Sequence, residues 1–155
     1  MKGVGVLRYS PYVLLFGIFL TLFFVYDFNG LYGQDSHEYL RYAKAMRLQI
    51  SEGIPAGEFF WPKLYPFLGA LLSFAGIPIA LALQLISIFS IAGSVYFAHR
   101  IIRSMHKSDG ILFLILGAVS QVYFMRAGIL VMTDALCVFF VTGFFHFYLL
   151  TVKGE

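Results

Sequence analysis

Charged side chains are scarce in this chain. Asp, Glu, Lys and Arg make up 12% of its 155 residues, about half the share of a soluble domain. Too few polar groups are present to cover a water-facing surface, which excludes an ordinary soluble globule. Disorder is excluded as well, because it needs low hydrophobicity and high charge. Cys137 is the single cysteine, so the chain is no disulfide scaffold. Within an apolar run it is also a poor nucleophile. The formal net charge of +3 lacks the dense basic patch that nucleic-acid binding requires, and no nucleic-acid partner is expected. There is no phosphate-cradling G-x-x-x-x-G-K-[ST] loop, no H-E-x-x-H and no G-x-S-x-G.

What the chain does have is apolar surface: 60% of residues are hydrophobic and 19% aromatic. Five apolar stretches stand out, at about 11–28, 64–77, 79–102, 111–124 and 135–152. A helix needs about 20 apolar residues to cross a bilayer, and runs of about 10–14 are more often interfacial. The stretches at 64–77 and 111–124 are short by this measure. The first follows Lys2 and Arg8 but ends in Val25-Tyr26-Asp27-Phe28, too bulky for a signal cleavage site. It reads as an uncleaved anchor with a cytoplasmic N-terminus. The densest basic connection, from His99 to Lys107, also prefers the cytoplasm. These preferences agree when four stretches cross and 64–77 lies in the interface. The expected fold class is all-α: a polytopic membrane helix bundle of about four spans, with external amphipathic and interfacial helices.

One long polar segment, 29–63, interrupts the apolar runs and falls on the external side. Ser36 to Glu52 reads as a helix, with Asp35-x-x-Glu38 resembling a capping box. Tyr39, Ala43, Met46 and Ile50 share one face, opposite Arg41, Lys44 and Arg47, a pattern suited to a membrane surface. Gly53 and Pro55 end it. Glu58-Phe59-Phe60-Trp61-Pro62 is an aromatic cluster of the kind found at bilayer interfaces.

Two acids need an explanation. Asp35 sits where the amphipathic helix begins and Asp134 where an apolar helix begins, and in the four-span arrangement both face the non-cytoplasmic side. Acids close to a bilayer are costly unless hydrated, paired or functional. Each also fits an ordinary helix cap, with Thr133 as a neighbouring capping group. Lys63 fits a snorkelling role, and Arg126 a pairing with lipid phosphate or with Asp134. His37 reads as a solvated helix residue and His146 as a packed one. His99 and His106 belong to the basic loop, and Gln84 and Gln121 read as interhelical hydrogen-bonders.

These residues resemble the N-terminal part of the multi-spanning C-type glycosyltransferases (GT-C fold). They are most similar to the polyprenyl-phosphate-sugar-dependent group that includes the protein O-mannosyltransferases and the aminoarabinose transferase of lipid A. The resemblance is carried by Gln34-Asp35-Ser36-His37-Glu38-Tyr39, Trp61-Pro62-Lys63-Leu64-Tyr65-Pro66 and Met132-Thr133-Asp134-Ala135-Leu136. It covers essentially the whole chain as a single transmembrane domain. It implies Asp35 as the catalytic acid and general base, and Asp134 as the second acid, placing the acceptor or a bound cation. Substrate-binding residues would be Lys63, Tyr65, Arg126, His37 and Glu38, with Lys63 against the lipid phosphate. No metal-ligand set is implied, and a divalent cation is the sole cofactor considered.

The partners implied are membrane lipid, a polyprenyl-phosphate sugar donor and helices that supply further spans. The location implied is a bacterial inner membrane with the active face external. Many relatives carry Asp-Glu at the first acid, where this chain has Asp35-Ser36, which points to a more distant branch. Family members are several times longer, so the resemblance implies an N-terminal portion. The competing expectations are a non-catalytic membrane subunit or scaffold and, last, a small transporter.

Overall fold

The computed structural model describes residues 29–105 and 122–154, together with the isolated helical positions Gly17, Thr21 and Val25. The described residues form five α-helices and no strand: α1 (Gly33–Glu52), α2 (Leu64–Ser73), α3 (Ile79–Met105), α4 (Val122–Ile129) and α5 (Asp134–Lys153). Most of the expected spans at 11–28 and 111–124, and with them Lys2, Arg8, His106, Lys107 and Gln121, lie outside the described residues.

Length separates the helices by role. At a rise of about 1.5 Å per residue, the 27 residues of α3 reach about 40 Å and the 20 of α5 about 30 Å. Both match or exceed a hydrocarbon core of about 30 Å. Among the described residues these two helices are long and apolar enough to cross a membrane. The ten residues of α2 reach about 15 Å, half the distance required.

The core is built on α3. Leu83, Ser87, Ile88, Ile91 and Val95 are buried along its length. Small residues let its neighbours approach. A Cβ on Gly69 of α2 would collide with Leu83, and one on Gly93 of α3 would collide with Phe139 of α5. Gly143 of α5 likewise lies against Phe97 of α3. Contacts of this kind are what drive helix association where lipid removes the hydrophobic incentive. They also set direction. Ser87 of α3 donates to the Leu130 carbonyl at 2.9 Å, Gly93 faces Phe139, and the Phe97 ring lies 5.4 Å from His146. Positions rise together along both helices, so α3 and α5 run parallel. Their N-terminal ends lie at the same end of the bundle, where α1 and α2 also pack.

Several local expectations are corrected. Helix α1 begins at Gly33, not Ser36, and its N-cap position Tyr32 receives no side-chain cap. The Asp35–Glu38 capping box does not form. Instead the Ser36 hydroxyl accepts from the Tyr32 amide at 2.6 Å and donates to the Gly33 carbonyl at 3.0 Å. Asp35 lies within the first turn, where a carboxylate still favours the positive end of the helix dipole. Thr133 precedes α5 without a side-chain cap bond. The apolar stripe of α1 is buried only in its first half: Tyr39, Tyr42 and Ala43 are covered, whereas Ile50 is exposed. His99 is not in a loop. It is buried within α3, which continues helically through Arg103 to Met105.

Candidate functional site

The segment before α1 is tied directly to the segment before α5. The Val131 amide donates to the Gly30 carbonyl at 2.9 Å. Gln84 of α3 makes the interhelical bond its position predicts, its Nε2 donating to the Ile129 carbonyl at 3.2 Å. Gly30 has φ of +77°, and a Cβ there would sit 2.5 Å from Gln84 Cγ. Glycine is therefore required both by the left-handed backbone and by the close approach.

This strap brings the two acids to one place. Tyr39 projects from α1 four positions after Asp35, and its ring is buried, edge-on to Tyr65 at 5.3 Å and Phe59 at 5.8 Å. Its phenol pKa is pushed up to about 12, first by burial, then by the negative charges of Asp134 and Asp35, against an opposing hydrogen bond with the Thr133 side chain. The negative charges of Asp35 on α1 and Asp134 on α5 thus both reach the Tyr39 phenol, although 99 positions separate them in sequence. Tyr39 stays protonated at physiological pH.

Arg126, at the end of α4, neither pairs with Asp134 nor stands alone. Its guanidinium lies over the Tyr32 ring at 4.2 Å from the centroid, beside the first turn of α1. The arginine is exposed, so its charge remains available on the side of the bundle that carries Asp35.

The other expected binding residues are placed apart. Tyr65 is fully buried. Its hydroxyl lies 2.9 Å from the Leu83 carbonyl oxygen and 2.8 Å from Ser87 Oγ. Burial raises its pKa above the ordinary phenol value. It forms the floor under Tyr39 rather than a surface open to substrate. His37 is exposed on α1. Glu38 accepts from Arg41 at 2.7 Å, and that hydrogen bond holds its pKa below the usual carboxylate value. Glu38, Arg41 and Lys63 line a groove of about 650 Å³ with Gly57, Glu58, Phe59, Phe60 and Trp61. Neither Asp35 nor Asp134 lines it. Phe59, which lines it, is in edge contact with Tyr39.

Sequence reasoning missed Tyr39 as part of the site, since it fits the apolar stripe of α1 equally well. Its spacing of four from Asp35 was the available signal, because such residues share a helix face. Thr133 and Gly30 carried no comparable signal. Among the described residues no group of three or more His, Cys, Asp or Glu gathers. A cation here would have only the two aspartates as anionic ligands. No family model matches this chain, and no curated protein or solved structure shows significant similarity to it.

Proposed function

We propose that this chain is a membrane glycosyltransferase, or the N-terminal portion of one. It moves a sugar from a polyprenyl-phosphate donor to an acceptor on the non-cytoplasmic face. The observation that carries the reading is the strap between Gly30 and Val131, which brings the starts of α1 and α5, and with them Asp35 and Asp134, to one end of the bundle. In the proposed reaction an acceptor hydroxyl attacks the anomeric carbon and the bond from that carbon to the phosphate oxygen breaks. One aspartate takes the hydroxyl proton, and the lipid phosphate leaves as an anion. Arg126 offers a cation for that developing charge. Tyr39, protonated at physiological pH, takes no proton. The proposal includes four crossings, by 11–28, α3, 111–124 and α5, in an inner membrane.

The test is sugar transfer by membranes containing the full chain, supplied with radiolabelled polyprenyl-phosphate sugar. Asp35→Asn and Asp134→Asn keep the side-chain shape and remove the base. Loss of the general base is expected to lower transfer by about 10²–10⁴-fold at unchanged protein level. Undiminished transfer in both variants would remove the acids from catalysis. The second reading, a scaffold without activity, draws on the same cluster: the Thr133 hydrogen bond and burial of Tyr39 give the acids a structural neighbour. Stable protein with no transfer in either wild type or variants would favour it.

A further inference from the structure

The groove beside α1 has a composition that narrows its ligand. It is bordered by two cations, Arg41 and Lys63, and two anions, Glu38 and Glu58. Its formal charge is therefore zero, and Arg41 is already bound by Glu38 at 2.7 Å. A phosphate or other anion finds no net positive field there. A purely apolar ligand is disfavoured too, because four ionisable side chains would lose water. The aromatic part has open faces. Phe60 is 92% exposed and Trp61 37% exposed, and their rings meet at 83° with centroids 5.4 Å apart. They form a corner with two surfaces for stacking. Phe59, in contrast, is already stacked on Tyr42 at 4.0 Å. The volume of about 650 Å³ falls within the range of small-molecule sites, about 300–1,000 Å³.

An uncharged ligand with flat C–H faces and a rim of hydroxyls meets these conditions. We propose that the groove binds a neutral saccharide, stacked in the Phe60–Trp61 corner and hydrogen-bonded by Glu58, Lys63 and the Glu38–Arg41 pair. Carboxylates accept from sugar hydroxyls, while the ammonium and guanidinium donate to them. Identifying this saccharide as the acceptor rests on the glycosyltransferase reading; binding in the groove does not.

Trp61 is the single tryptophan of the chain, so its emission reports on the groove directly. The experiment titrates the full chain in lipid nanodiscs with neutral trisaccharides of glucose, mannose and galactose, and with glycerol phosphate as the charged comparator. The expected result is a saturable change in Trp61 emission with at least one trisaccharide and none with glycerol phosphate. Phe60→Ala removes an exposed ring with little effect on folding and is expected to weaken the apparent Kd about two- to tenfold. Glu58→Gln weakens it as well. A flat titration with all three trisaccharides overturns the proposal, as does a saturable response to glycerol phosphate. Strong quenching of Trp61 by shallow brominated lipids without any sugar response also overturns it, and assigns Phe60 and Trp61 to membrane anchoring. Saccharide binding with transfer untouched by Asp35→Asn and Asp134→Asn would keep the groove and reject the catalytic assignment. Transfer that depends on the acids without groove binding would do the reverse.

Discussion

Gly30 is where the structure makes its sharpest energetic demand. Substitution by alanine meets two separate obstacles. The first is the backbone, since φ of +77° lies in the left-handed region, which costs an L-residue about 1–2 kcal/mol. The second is space: the new Cβ would lie 2.5 Å from Gln84 Cγ and 2.6 Å from its Nε2. Gln84 must then move and give up its bond to the Ile129 carbonyl, a loss of about 1 kcal/mol. Together these give about 2–3 kcal/mol for Gly30→Ala. Gly33 provides the internal control. It has φ of +74°, but a Cβ added there would meet no atom within 4 Å, so Gly33→Ala should cost the backbone component alone, about 1–2 kcal/mol.

The steric part is separable by a double-mutant cycle. Gln84→Ala alone gives up the bond to the Ile129 carbonyl, about 1 kcal/mol, and the packing of a buried side chain. With Gln84 already truncated, Gly30→Ala meets only its backbone cost, so the pair should be non-additive by about 1 kcal/mol. The assay is thermal unfolding in nanodiscs. For a chain of this size about 1 kcal/mol corresponds to about 2–4 °C in Tm, so Gly30→Ala should melt about 4–12 °C lower. Equal Tm losses for Gly30→Ala and Gly33→Ala, or strict additivity in the cycle, would refute the packing argument.

Three further outcomes follow from the same geometry. Tyr65→Phe removes the hydroxyl near Leu83 and Ser87 while Ser87 keeps the Leu130 carbonyl; an unfolding free energy lower by about 1–2 kcal/mol is expected, and an unchanged value would show the bonds to be incidental. The Tyr39 phenol titrates near pH 10 when unfolded and about 12 when folded, so the folded state holds its proton more tightly and stability falls as pH rises from 10 through about 12. Tyr39→Phe should flatten that alkaline loss in pH-dependent unfolding, and an identical slope would contradict the burial. With Cys137 replaced by serine, single cysteines at positions 35 and 134 should react with an impermeant maleimide in intact cells while one at 104 should not. Labelling of 35 without 134 would place the acids on opposite sides.

Much of the fold was legible because bilayer-length apolar runs and their breaks are local properties. Gly53, at φ of +73°, ends α1 where its glycine and Pro55 predict an end, and Gly76-Ile77-Pro78 separates α2 from α3. The start of α1 was not legible, because Ser36 closes it from inside the helix and not from the N-cap position. Exposure of Ile50 was hidden for another reason: α1 outruns the helices it packs against, so its stripe is covered only near Tyr39 and Ala43. His99 was misplaced because a basic cluster reads as a loop, although α3 carries that cluster on helical turns. In the candidate site, Asp35 and Asp134 were legible as isolated acids. Tyr39, whose phenol feels both charges, was not, because the approach of Asp134 to it is tertiary.

The direction of α5 decides whether those acids can share chemistry at all. Had α5 run antiparallel to α3, its first residue would lie beside the Met105 end, about 40 Å from the α1 end for a helix of 27 residues. At that separation a carboxylate on Asp134 has no appreciable field at Tyr39. The observed register excludes this arrangement, because Ser87 meets Leu130, Gly93 meets Phe139 and Phe97 meets Gly143. If α3 and α5 both cross a membrane, parallel crossing demands an odd number of passages between them. The proposed sharing of one face by the two acids and the proposed four-span topology both require this parallel register. Labelling at positions 35, 104 and 134 tests both together.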